Sequence, residues 1–537
     1  MRTTLTGLLG ASLLAAPALA APPRLVIAIS VDQFSSDLFD EYRSSFTGGL
    51  ARLASGAVFR NGYQGHAATE TCPGHSTILT GDRPARTGII ANNWIDQSQS
   101  RSDKSVYCAE DERGAGSSSS HYTVSPLHLR VPTLGERLKQ VSPASRSVAV
   151  AGKDRAAVMM SGQRPDQRWY WDGKSYVTDL AGVRAPTVVA ATNAAVARLI
   201  AAPADPLEAP PLCTAKAKPV AVEGGGQPVG PGAFARAAGD FKSFRASPQF
   251  DGATLALAAG LIQEMKLGKG KATDLIAIGA SATDYVGHAY GTEGQEMCLQ
   301  LLSLDRDLGD FFLALDRQGL DYAVVLTADH GGNDIPERER TAGIPDASRI
   351  DTALLPAAIG KVIGAQLGIA GPIVLGDERD VWLDRALGAT DRKRALAAGT
   401  ALYAAQPQVE AVFTHDELKR TPPPTSTPDR WTIIERARAS FDDQRSGDLL
   451  VLLKRRVTPI ADTSKFYVAT HGSPWDYDRR VPILFWRAGM PAVASEAAIE
   501  TTAIAPTLAA WIGVPIQPGA IDGRCLITVP GVTCPGR

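Results

Sequence analysis

Excess charge of either sign is missing from this sequence: 55 Lys and Arg stand against 56 Asp and Glu, for a net charge of −1. A chain so balanced has no bulk attraction for nucleic acid or for an anionic membrane. Affinity for anions must then come from a few cations or metal ions gathered in one pocket. No CxxC pair and no Cys/His cluster occurs, so a thiolate zinc site is not expected. No internal repeat is visible. The apolar stretch Leu5 to Ala16 is too short to span a bilayer. Placed behind Arg2 and ahead of Ala18-Leu19-Ala20, it reads as a secretory signal peptide over 1–20, cleaved near Ala20-Ala21. No Cys follows it to carry a lipid. The mature chain, 21–537, is expected in the periplasm or outside the cell, as a monomer without a membrane anchor.

What is there is a chain of 537 residues, 44% hydrophobic and 21% charged, long enough for one large enzyme domain with insertions. Six cysteines, Cys72, Cys108, Cys213, Cys298, Cys525 and Cys534, form an even set that in an exported protein favours disulfides. Cys525 and Cys534, with Pro530 and Gly531 between them, suit a local loop; the spacing leaves the pairing of the other four open.

Continuous apolar runs occur at Leu25–Val31, Ser147–Ala151, Leu275–Gly279, Ala323–Leu326 and Val481–Phe485. Such runs form strands buried on both faces, as in a mainly parallel sheet covered by helices. Helical periodicity lies between them at Val131–Gln140, Ala253–Met265 and Gln295–Leu315. The alternation predicts a large α/β sandwich. Breaker-rich stretches at 114–120, 202–211, 224–232 and 420–430 are loops. Residues 335–465 are expected to form an inserted excursion, with a return to a buried strand only near Val481.

Ligands of parallel α/β sheets bind outside the carboxyl ends of the strands. Three runs deliver polar residues there: Asp32 after the first, Asp284 after Leu275–Gly279, and Asp329-His330 after Ala323–Leu326. A single such carboxylate would be an ordinary helix cap or turn residue. Three of them, joined by histidines from a chain with only eight, suggest a metal site. Asp284 and His288, four apart, share one helical face, and His471 stands alone before Gly472. Mixed carboxylate and imidazole donors suit zinc better than magnesium or calcium. Thr69 to Gly81 offers hydroxyl nucleophiles, with a turn at Pro73-Gly74 ahead of a helix whose N-terminus would favour an anion. Spacing does not choose among Thr69, Thr71, Ser76 and Thr77. Cys72 is better read as half of a disulfide than as a thiol nucleophile.

The ordered set Asp32, Thr71-Cys-Pro-Gly-His75, Asp284-x-x-x-His288, Asp329-His330 and His471 resembles the alkaline phosphatase superfamily. Within it the chain is similar to the phosphate-irrepressible periplasmic alkaline phosphatases, over essentially the whole mature sequence. The resemblance implies that superfamily's sandwich with inserted cap segments and two zinc ions. One would be bound by Asp284, His288 and His471, the other by Asp32, Asp329, His330 and the oxygen of Thr71. Thr71, two residues before Pro73, matches the nucleophile, and His75 a structural member of the turn. Lys153 and Arg155, after Ser147–Ala151, match a Lys-x-Arg pair of the phosphomonoesterase branch. Asn92 matches its phosphate-contacting Asn, with Asn93 the near alternative. The Cys-x-Pro-x-Arg maturation motif of sulfatases is absent, because Pro73 follows Cys72 directly. The implied activity is hydrolysis of small phosphate monoesters through a phosphothreonine. A phosphodiesterase or nucleotide pyrophosphatase on the same scaffold is the alternative.

Overall fold

In a computed structural model, which describes residues 21–377 and 379–535, the apolar runs become the middle of one twisted sheet. The expected signal peptide lies outside the described residues. Among those residues the sheet has ten strands. From one edge its order is Val493–Ser495, Ala57–Tyr63, Arg480–Arg487, Tyr322–Thr327, Leu25–Val31, Asp274–Ala280, Ser147–Ala151, Gln167–Trp171 and Tyr176–Val177, with Ile499–Glu500 also pairing to Ala57–Tyr63. Leu25–Val31 is buried along its whole length and pairs in parallel with both neighbours. Its two faces pack into separate cores: Ile27 and Ile29 with Phe250 and Leu304, Val26 and Ala28 with Ile78 and Leu508. That is why the run is apolar without alternation.

Arg480–Arg487, which contains the expected strand Val481–Phe485, runs antiparallel to both neighbours. Its direction follows from the route: after Thr327 the chain leaves the sheet and re-enters at the same end, so the returning strand runs back down. Within that excursion the order Val374–Gly376, Asp380–Leu383, Leu449–Leu453, Val409–Thr414 forms a second, antiparallel sheet. The expectation that no buried strand precedes Val481 is corrected here, because four of the five residues of Leu449–Leu453 are buried. Leu449 and Val451 close a small core with Ile359, Ile363 and Tyr403, while Leu450 and Leu452 pack on the other face with Ala67, Leu418 and Phe441.

The periodic segments form the helices Leu134–Val141, Pro248–Glu264 and Gln295–Arg317. Thr133 and Glu136 close a capping box on the first, and Pro248 occupies the first turn of the second, where no N–H is needed. All six cysteines are paired: Cys525–Cys534 in the local loop, Cys72–Cys108 and Cys213–Cys298 across longer separations. Among the described residues no helix is long and apolar enough to cross a membrane.

Candidate active site

Four adjacent parallel strands end together and place their following residues on one edge. Tyr322–Thr327 leads to Asp329-His330 and Leu25–Val31 to Asp32. Asp274–Ala280 leads to Asp284 in the first turn of the helix Ala282–Tyr290, and Ser147–Ala151 to Lys153. The backbone continues the ladder beyond the strands, with Asp32 N donating to Ala280 O at 2.9 Å and Gly152 N to Gly279 O at 3.0 Å. Asp32 and the residue before Lys153 are therefore held by the sheet itself.

Thr71 is the first residue of the helix Thr71–Thr80, with Glu70 at the cap. The turn expected at Pro73-Gly74 is instead the first turn of this helix, a place that tolerates proline. Gly74 permits the helix to lie on the strand end: a Cβ there would fall 2.0 Å from the carbonyl oxygen of Asp329. Of the four hydroxyl candidates, Thr69, Ser76 and Thr77 hydrogen-bond to backbone carbonyls. The Thr71 hydroxyl faces Arg155, whose Nη2 is 3.5 Å from Oγ1.

Two groups of side chains bring their donor atoms within 4.8 Å of one another: Asp284 with His330 and His471, and Asp32 with His75 and Asp329. His288 Nε2 and His471 Nε2 each lie 3.3 Å from Asp284 Oδ1. His330 reaches both groups, with Nε2 at 3.2 Å from Asp329 Oδ2 and its ring stacked 3.5 Å from that of His471. All six residues matched to metal ligands besides Thr71 thus converge, but distance alone divides them differently from the resemblance. His330 gathers with Asp284 and His471 while also facing Asp329, and His288 is engaged by the Tyr467 hydroxyl at 2.8 Å. His75, expected only to support the turn, takes the Thr71 carbonyl at 2.9 Å on Nδ1. It also faces Asp329 at 3.2 Å and Asp32 at 3.3 Å.

The donor chemistry fits a metal. Asp32 Oδ1, Asp284 Oδ1, Asp329 Oδ2 and His330 Nε2 are buried without a well-formed hydrogen bond; native proteins rarely leave such atoms so. Burial alone would raise the Asp284 carboxyl, but His288 and Lys153 hold it well below the usual carboxylate range. Burial likewise opposes ionisation of Asp329, and His330 and His75 overcome it. Burial would lower the His75 pKa, yet Asp329 and Asp32 raise it to about 10. Lys153 is buried between two carboxylates, its Nζ 3.0 Å from Asp32 and 2.5 Å from Asp284.

Around Thr71 the polar partners are ordered. Asn92 accepts the Cys72 N–H on Oδ1 at 2.9 Å, and its own N–H donates to Glu70 at 2.6 Å. Asn93, the alternative, lies in the short strand Asn93–Ile95. Asp154, between Lys153 and Arg155, accepts the hydroxyls of Tyr107 at 2.7 Å and Tyr122 at 2.8 Å. Sequence reasoning passed over Glu70 and Arg379. Arg379, from the excursion, pairs with Glu70 at 2.6 Å and donates to the Gly472 carbonyl at 3.3 Å, beside His471. Glu70 carries no capping signal, since its carboxylate makes no cap hydrogen bond to the helix, and nothing in sequence links it to Arg379, 309 positions away.

The profile of the type I phosphodiesterase / nucleotide pyrophosphatase family matches residues 26–474. The chain is 53% identical to alkaline phosphatase PhoK of Sphingomonas sp., over 96% of this chain and 94% of that protein. It is 48% identical to alkaline phosphatase PhoD of Zymomonas mobilis, over 95% and 89%. Alkaline phosphatase PafA of Elizabethkingia meningoseptica is 28% identical over 93% of each chain. A crystal structure of wild-type PafA superimposes with a TM-score of 0.82 at 26% identity, covering 94% of this chain and 98% of that one. With its mostly parallel sheet and the residues gathered at the strand ends, this chain belongs to the alkaline phosphatase superfamily, within the family of type I phosphodiesterases and nucleotide pyrophosphatases.

Proposed function

We propose that this enzyme is an exported, zinc-dependent phosphomonoesterase that acts through a phosphothreonine on Thr71. The observation that carries the reading is the meeting of the Thr71 hydroxyl with Arg155 at 3.5 Å, beside a buried Lys153 and two groups of carboxylates and imidazoles. Alkaline phosphatase activity is what its named relatives share. Asp284, His288 and His471 would hold one ion; Asp32, Asp329, His330 and Thr71 the other. When bound, zinc supplies Lewis acidity that favours the ionised Thr71 hydroxyl and offsets charge on the leaving oxygen. Export is supported by three disulfides and the absence of free cysteine among the described residues.

The chain's own residues then divide the work. Arg155 and Lys153 present positive charge to the non-bridging oxygens, and Asn92 is fixed by its bond to Cys72 N so that its amide N–H group is available to the same oxygens. Thr71 Oγ1 forms a bond to phosphorus as the ester bond breaks, and the alcohol leaves on the side of Asp284, His288 and His471. Water then attacks the phosphothreonine, returning Thr71 and releasing inorganic phosphate. Small phosphate monoesters are the substrates, and the protein works as a monomer.

A second reading, diester hydrolysis, draws on the name of the family whose profile matches. A monoester carries one more ionisable oxygen than a diester, so Arg155 rewards it preferentially. In Arg155→Ala the ratio of kcat/KM for an aryl phosphate to that for its bis-aryl diester falls about 10²-fold. A diester that is the far better substrate of the unaltered protein would overturn the monoesterase assignment.

Glu70 and Arg379 position the site through three segments: the Thr71 helix, Asn92 and the His471 loop. Arg379→Ala therefore lowers kcat about tenfold to a hundredfold and changes KM much less. Arg379→Lys recovers part of the loss. Steady-state kinetics beside metal analysis checks this; an Arg379→Ala variant with unaltered kcat would show that the ion pair contributes nothing to alignment.

A further inference from the structure

Two large aromatic side chains stand open to solvent on the strap leading into His471: Phe466 at 36% and Tyr467 at 41% exposure. The strap is pinned rather than loose. Thr463 N donates to Gly224 O at 3.1 Å, its hydroxyl donates to Glu223 O at 2.7 Å, and it accepts Gly226 N at 2.8 Å. Lys242 Nζ holds the Lys465 carbonyl at 2.6 Å, and Val468 N the His288 carbonyl at 2.8 Å. Phe466 keeps a left-handed backbone, φ 61°, with its ring edge-on to Tyr290 at 5.5 Å. That conformation is unfavourable for an aromatic residue and persists only where the surroundings impose it.

The pinning fixes Tyr467 against the active site. Its ring lies 4.0 Å from that of His288, at 27°, and its hydroxyl is in the field of Asp284, Lys153 and Arg155. An exposed aromatic face held rigidly beside a reaction centre is a surface for stacking at little entropic cost. We propose that Tyr467 is a specificity-determining residue that favours monoesters of aromatic alcohols, stacking against the leaving group. The inference rests on the proposed mechanism, in which the alcohol departs on the side of Asp284, His288 and His471. A ring bonded directly to the ester oxygen reaches a wall built on those residues. A nucleobase offers the same π-face but hangs several bonds further away, and an alkyl alcohol offers none.

The zinc-loaded protein and its Tyr467→Ala and Tyr467→Phe variants are compared on phenyl phosphate, a nucleoside 5′-monophosphate and glycerol phosphate. In Tyr467→Ala the phenyl-to-glycerol ratio of kcat/KM falls roughly fivefold relative to the unaltered protein, and in Tyr467→Phe it stays within about twofold. Any support that the ring gives to His288 acts on every substrate and cancels in the ratio. An unchanged ratio in Tyr467→Ala, with all rates lowered together, would reduce Tyr467 to a support for His288 and overturn the proposal. A fall confined to the nucleotide would overturn the aryl assignment. If the unaltered protein hydrolyses none of the three esters, it is the phosphomonoesterase reading that fails, and the inference with it.

Discussion

Thr71→Ala lowers kcat for phosphate monoesters by at least about 10³-fold, whereas Thr71→Ser keeps most of the activity. The alanine variant loses the only atom that can accept the phosphoryl group in the proposed path, and the serine variant loses only a methyl group. Folding is not at stake. Thr71 occupies the first helical position, where alanine is well tolerated, and its hydroxyl makes no hydrogen bond tighter than the 3.5 Å contact to Arg155. The helix start is held by other atoms: the Glu70 carboxylate on Asn92 N, the Asn92 amide on Cys72 N, and His75 on the Thr71 carbonyl. Melting temperature of the metal-free protein should therefore be unchanged while turnover collapses. Acid quenching during turnover should trap one phosphoryl group on the unaltered chain and on Thr71→Ser, and none on Thr71→Ala. Turnover by Thr71→Ala near the unaltered rate would remove Thr71 from the mechanism.

The sheet was legible because its central strands are buried on both faces. Leu25–Val31 and Ser147–Ala151 occupy the bounds their apolar runs give, and Asp274–Ala280 exceeds its run by one residue at each end. Ala57–Tyr63 was not legible: Arg60 and Asn61 interrupt the pattern because that part of the strand is only partly buried. The antiparallel sheet of the excursion escaped for another reason. Its strands are short and its buried run Leu449–Leu453 is paired from a distance, with Asp380–Leu383 and Val409–Thr414. In the site, the carboxylates were readable because each follows a recognisable strand. His75, Glu70 and Arg379 were not, because their partners are brought together only by the packing of the Thr71 helix on the strand ends. Tyr467 carries no signal in sequence: a tyrosine four residues before a histidine has no periodic or motif context, and its meaning comes from the pinned strap.

Removal of bound metal should abolish activity and destabilise the fold together, because the same buried groups serve both. Asp32, Asp284 and Asp329 are each at most 1% exposed, and among the described residues the cation other than an imidazole that pairs with any of them is Lys153, on Asp32 and Asp284. Bringing three carboxylates out of water with so little opposing charge is costly unless further cations join them. A metal present at about 1,000 times its dissociation constant would add roughly 4 kcal/mol to the stability of the folded state. Dialysis against a chelator should thus lower the melting temperature by several degrees as it removes activity. Zinc should restore both. Magnesium at equal concentration should restore neither fully, since His288, His330 and His471 offer imidazole nitrogen where magnesium prefers oxygen. Asp284→Asn separates the contributions: it keeps the shape of the side chain but weakens metal binding and releases Lys153 from one of its two partners. Metal content and melting temperature should fall in this variant even before any substrate is added. A protein whose activity and melting temperature both withstand exhaustive chelation would leave the convergence of these buried carboxylates and imidazoles to be explained by the Lys153 and histidine ion pairs alone.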